Sequence, residues 1–130
     1  MTELAPIFMR ESVDQSQLSK KEGYRIHQEW LEIFAEELKN SKGKFAIGNY
    51  IWESYLSGVL PSTDGDGALE IYSMKPIEEY YVICDSGEIV FKCKSDHWPN
   101  LFGKEAIVFP KSKLWSLVYS HEETDHYVEP

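Results

Sequence analysis

Residues 79 to 94, EYYVICDSGEIVFKCK, leave the chain the fewest alternatives, because side chains alternate with period two on both sides of Ser86-Gly87. The glycine supplies the positive φ that a tight hairpin turn requires. With Ser86 and Gly87 as the loop, Cys84 faces Ile89, Val82 faces Phe91 and Tyr80 faces Cys93. One face then carries Tyr80, Val82, Cys84, Ile89, Phe91 and Cys93, and the other carries Tyr81, Ile83, Asp85, Glu88, Val90, Lys92 and Lys94. A slip of one residue would mix these two sets, so the register is specified along with the hairpin.

The same register decides the chemistry of the two cysteines. Cys84 and Cys93 share a face but stand four residues out of step, about 13 Å apart at the rise of a strand, which is beyond the reach of a disulfide. They are expected to be reduced core thiols. Cysteines without metal-type spacing, and no charged-then-apolar leader in residues 1–10, place the chain in the cytoplasm as an expectation. No apolar run approaches the roughly 20 residues of a transmembrane helix.

At 130 residues and 42% hydrophobic content, the chain is expected to form one domain with a well-filled core. Its net charge of -9 is unevenly spread: residues 1–44 hold eight acids and seven bases, and residues 45–130 hold fourteen acids and six bases. An acidic surface repels phosphate, which argues against nucleic acid or an anionic membrane as partner and leaves cations, a basic protein or simple solubility.

Along the chain, residues 1–18 show little apolar periodicity and read as a loosely ordered arm. Ser19 with Glu22 forms a capping box, after which Tyr24, His27, Leu31, Phe34 and Leu38, with Trp30 beside them, predict an amphipathic helix over Lys20 to Lys39. A second, largely buried helix is expected from about Asn49 to Ser57, with a strand as the alternative. Pro61 to Gly67 is a loop in which Asp64 and Asp66 lack the further ligands of a calcium site, and Asp66 is expected to cap a short helix, Gly67 to Met74, stopped by Pro76. Strands follow at Glu105 to Phe109 and Lys113 to His121. The expected architecture is α+β: a mainly helical region 19–75 packed on a roughly four-stranded, mostly antiparallel sheet in 76–121, followed by an acidic tail, 122–130.

Three clusters of side chains are candidates for a site. The tail brings together His121, Glu122, Glu123, Asp125 and His126, and with His97 from the turn after the hairpin, the set His97, His121, Glu122 and His126 has the chemistry to hold zinc if the tail loops back; the alternative is a solvated acidic terminus. Glu122, Glu123 and Asp125 are also the residues expected to meet a basic partner. Tyr50, Trp52, Tyr55, Trp98 and Trp115 either line a ligand pocket or pack the core. Nucleophilic catalysis has no constellation here, since the thiols lie on the core face and no nucleophile elbow, phosphate loop or dinucleotide fingerprint occurs.

Tyr50-Ile51-Trp52, Asp66-Gly67-Ala68 ahead of the Tyr80 to Ile83 strand, and the final run from Lys113 to Glu123 resemble an uncharacterised bacterial family of short acidic proteins common in Gram-positive spore formers. The resemblance spans about residues 45–127, and implies a small cytoplasmic fold with His121, Glu122 and Tyr127 as matched positions; Asp125-His126 stand where the family pattern has Cys-Gly. It implies no activity. Three functions fit the residues: a non-catalytic acidic module that engages a basic protein, as immunity-type proteins do; a zinc-binding protein or metal-dependent enzyme; and a small-molecule binder with an aromatic pocket.

Overall fold

The computed structural model describes residues 4–38, 62–84, 89–120 and 124–130. In chain order these form α1 (Ala5–Arg10), β1 (Asp14–Gln17), α2 (Lys20–Phe34), a 3-10 turn (Glu36–Leu38), β2 (Thr63–Asp64), α3 (Asp66–Met74), β3 (Tyr80–Cys84), β4 (Ile89–Lys94), β5 (Ala106–Pro110), β6 (Ser116–Tyr119) and β7 (His126–Val128). The expected helix over Asn49 to Ser57 and the Ser86-Gly87 turn lie outside the described residues.

The fold is α+β, built on one antiparallel sheet in the order β1-β4-β3-β5-β6-β7-β2. β3 and β4 pair with Tyr80 opposite Cys93, Val82 opposite Phe91 and Cys84 opposite Ile89, the register expected from the alternation. The sheet has seven strands rather than four, and it is not confined to the C-terminal half. The three additional strands lie at its two sides. β1, DQSQ, and β2, Thr63–Asp64, are exposed throughout, so neither has an apolar face to announce it. They are recruited by backbone pairing with β4 and β7, and periodicity of side chains carries no trace of that.

The arm expected over residues 1–18 is instead part of the core. Leu4, Ile7, Phe8 and Val13 are buried, and the Phe8 ring meets Phe91 edge-on at 5.2 Å. A positive φ of 56° at Ser12 turns the chain from α1 into β1. One helical turn is too short for its apolar spacing to stand out in a window of several turns.

α2 starts where expected, with the Glu22 N–H donating to Ser19 Oγ at 3.2 Å, but stops at Phe34. Its buried stripe is Gly23, Ile26, Trp30, Leu31 and Phe34, rotated from the expected face so that Tyr24 is exposed. Gly23 explains the rotation. A Cβ there would stand 3.4 Å from Val90 Cγ2, so the bare backbone lets the helix settle closely on β4. α3 begins at Asp66, with Gly65 taking the cap position at φ 68° and donating its N–H to Asp125 O at 2.9 Å. Lys75 is extended ahead of Pro76, which ends the helix as the proline requires.

Both faces of the sheet are covered. α2 lies on Ile83, Val90, Ile107, Phe109, Val118 and Val128. On the opposite face, α1, α3 and the segment after β4 enclose Tyr80, Val82, Phe91, Val108, Leu117, Tyr119 and Tyr127. This is why β5 and β6 are buried at every residue instead of alternating.

Candidate functional site

A groove of about 480 Å³ opens between α3 and the segment that follows β4, a volume within the range of ligand sites. Leu69, Tyr72, Ile77 and Trp98 supply apolar lining, and Asp96 and His97 stand at its polar side. Pro76 places the extended chain after α3 alongside Trp98, whose indole N–H donates to Lys75 O at 2.8 Å. The Tyr72 and Tyr119 hydroxyls both donate to Pro99 O, at 2.6 and 3.2 Å. Burial pushes the hydroxyls of Tyr72, Tyr80 and Tyr119 above the ordinary tyrosine range, so they remain protonated donors.

Behind this lining the rings pack on one another, with Trp98 at 4.9 Å from Trp115, 5.1 Å from Tyr80 and 5.9 Å from Tyr72. The Lys75 ammonium lies 5.2 Å from the Tyr127 ring and 6.0 Å from that of Trp115, distances at which a cation is attracted to an aromatic face. Of the expected aromatic pocket, then, Trp98 lines the groove while Trp115 is buried behind it as core. Tyr50, Trp52 and Tyr55 lie outside the described residues.

His97 sits between two carboxylates. Its Nδ1 is 2.6 Å from Asp96 Oδ1 and its Nε2 is 3.5 Å from Glu11 Oε1. The hydrogen bond from the imidazole holds the Asp96 carboxyl below the usual carboxylate range. Glu11 also accepts the Asn100 N–H at 3.0 and 3.3 Å, tying the end of α1 to the groove wall. Glu11 stands 89 residues from Asn100 in sequence, and no local pattern signals that contact.

His126 is elsewhere. It lies on β7 opposite Val118, whose side chain faces α2, whereas His97 borders the groove on the other face of the sheet. The expected set of His97, His121, Glu122 and His126 is therefore not brought together: two members are on opposite faces, and His121 and Glu122 lie outside the described residues. Among the described residues no group of three or more His, Cys, Asp or Glu side chains is placed to hold a metal ion.

The surroundings of His126 include a serine and an aspartate without forming a catalytic triad. Its Nδ1 is 2.7 Å from Asp64 Oδ1 and 3.5 Å from Ser62 Oγ, and the Ser62 hydroxyl itself donates to Asp64. A triad needs nucleophile and carboxylate on opposite ring nitrogens, and here both approach the same one. The imidazole is fully buried. Partial burial raises the Asp64 carboxyl, but the bonds from Ser62 and His126 more than offset that and hold it below the usual range. The group acts as a latch between β2 and β7.

Asp125, expected on a solvated tail, is also turned inward. It is 1% exposed, and its Oδ1 accepts the Ser120 N–H at 3.4 Å while Ser120 Oγ donates to Thr124 O at 2.8 Å. These bonds shape the return from β6 to β7, so the carboxylate is not on a surface that a partner would meet. Glu122 and Glu123 lie outside the described residues. Cys84 and Cys93 are buried thiols, and burial pushes the Cys93 thiol up to about 12, which leaves it protonated and unreactive at neutral pH.

No helix among the described residues is long and apolar enough to cross a membrane. Comparison of the chain with protein-family models, with characterised proteins and with solved structures found no match.

Proposed function

We propose that this chain is a non-catalytic binding protein that engages a basic protein partner through its acidic surface. The observation that carries this is the end of α2, where Glu36 and Glu37 are exposed just past the last helical turn and that turn contains no base. A helix C-terminus is negative already and favours cations, so acids there oppose the helix dipole by about 0.3–1 kcal/mol each. Departures from local stability of this kind are expected where a surface serves binding. Glu29, two turns before Glu36, is engaged by Arg25 at 2.6 Å and Lys113 at 2.7 Å, so its charge is already met within the chain. With a net charge of -9, such a surface would steer a cationic partner and lose that steering as salt rises.

Native mass spectrometry of the untagged protein, released from its host's lysate at low and at raised salt, tests this directly. A basic protein bound at low salt, released by salt and weakened by the double substitution Glu36→Gln, Glu37→Gln, is the expected result. Binding indifferent to salt and to both substitutions would remove the acidic surface from the explanation.

The groove supports a second function, a small-molecule site beside Trp98. A thermal-shift screen of metabolites checks it: a ligand that raises the melting temperature of the wild type should lose most of that effect in Trp98→Ala. Retention of the full shift would place the ligand elsewhere.

A further inference from the structure

Every residue that lines the groove beside Trp98 is a described one, and most polar groups on that lining are already spent within the chain. The Trp98 indole N–H goes to Lys75 O, the Tyr72 and Tyr119 hydroxyls go to Pro99 O, and the Ser73 hydroxyl goes to Glu70 O at 2.9 Å. Asp96, the one acid on the lining, is met by the His97 ring at 2.6 Å, and the other ring nitrogen faces Glu11 at 3.5 Å.

Two lining residues keep donors in reserve. Asn100 accepts the Phe102 N–H on its Oδ1 at 3.1 Å, which leaves its amide nitrogen without a hydrogen bond among the described residues. Lys75 forms no ion pair among the described residues, and its ammonium rests against the rings of Tyr127 and Trp115. Glu129, beside the same tyrosine, accepts from the Tyr127 hydroxyl at 2.7 Å instead. A ring face attracts the charge of an ammonium but offers its three N–H donors no strong acceptor.

We propose that this groove takes a small carboxylate with an apolar or aromatic body, which rests on the groove being the small-molecule site named above and specifies its ligand. Leu69, Tyr72, Ile77 and Trp98 receive the body, and Lys75 and Asn100 supply the donors for the carboxylate. The flexible four-carbon stem of a lysine lets the ammonium turn from the rings to an anion. A single unpaired cation suits a monoanion; a phosphate dianion would bring a second charge, and the His97 ring is already shared by two carboxylates. A cationic ligand would have to compete with His97 for Asp96 and would set like charge beside Lys75. The net charge of -9 does not decide the matter, because exposed charges beyond about 10 Å are largely screened at physiological ionic strength.

The test is a titration of the purified full chain, at neutral pH, followed through the Trp98 indole N–H resonance. The probes are 3-phenylpropanoate and octanoate, each compared with its amide and with the amine of the same length. The expected result is a saturable shift with the two carboxylates, bound about tenfold more tightly than the amides, and no saturation with the amines. Lys75→Gln should remove that tenfold preference while leaving amide binding as it was, which also shows that the variant is folded, and Lys75→Arg should keep the preference. Equal binding of acid, amide and amine, tighter binding of an amine, or a preference for the acid that Lys75→Gln leaves intact overturns the carboxylate and keeps the groove as a site. Six probes that all leave the Trp98 resonance unmoved overturn both.

Discussion

On one face of the sheet a single helix, α2, lays Ile26, Trp30, Leu31 and Phe34 across Ile83, Val90, Ile107 and Val118; on the other, three short pieces meet over an aromatic layer. Directly under α2 the polar chemistry is slight, with the latch of His126 and Asp64 set apart on β7 and β2: the Trp30 indole N–H donates to Ser116 Oγ at 3.0 Å, and that hydroxyl donates to Val108 O at 2.9 Å. The opposite face depends on it. Tyr72, Tyr119 and Trp98 each send a hydrogen bond to a main-chain carbonyl, of Pro99 or Lys75, and those bonds hold segments too short to hold themselves. A continuous helix is secured by the area it buries, whereas a face assembled from fragments is secured by buried donors that fix where each fragment lies.

The largest test of that contrast is Trp30→Ala. The side chain is wholly buried and stacks near Phe34 at 5.6 Å, so its loss should cost about 3–5 kcal/mol in chemical denaturation. A cost near that of a surface substitution would mean that α2 is not held by burial.

A smaller and more specific effect is expected on the other face. Tyr72→Phe and Tyr119→Phe should each cost about 1 kcal/mol, because Pro99 O keeps the other donor. Together they leave that buried carbonyl without a side-chain partner, so the double variant should lose more than the sum of the two, by a coupling measurable in a double-mutant cycle. Additive costs would show that the two hydroxyls do not share one acceptor in solution.

The smallest effect sharpens the contrast between two histidine–aspartate pairs. Asp64, held below the usual range beside buried His126, contributes stability that is present above the ordinary aspartate pKa and is lost as pH falls through its depressed value. Asp64→Asn should therefore lower the melting temperature at neutral pH by a few degrees at most, and the difference should vanish in acid. Asp96→Asn, on a fully exposed carboxylate beside His97, should change it less at every pH. Equal effects at the two sites would deny that burial of the imidazole sets the strength of the latch.

What sequence reasoning reaches here is what side-chain periodicity and local caps encode. The β3–β4 register, the start of α2 at Ser19, the helix before Pro76 and the burial of both cysteines all follow from neighbours within a few residues, because turn chemistry and alternation act at that range. The groove and the latch could not be read that way. Glu11 meets His97 and Asn100, Tyr72 meets Pro99, and Asp64 meets His126 only because the sheet order brings distant segments side by side.

The three strands that local patterns miss show the same division. β1 and β2 are formed by pairing to an existing edge, and backbone hydrogen bonds are indifferent to side-chain pattern, so DQSQ and Thr63–Asp64 become strands without looking like strands. Asp125 and His126 turn inward where a charge run suggested solvent, because Ser120 just after β6 and Asp64 on β2 supply partners for the carboxylate and the imidazole. The sequence by itself determined the central hairpin, the amphipathic helix and the acidic balance. Only the tertiary structure decided which polar residues are buried, which strands are recruited to the two sides of the sheet, and which carboxylates face a histidine, since those depend on contacts between segments far apart in the chain.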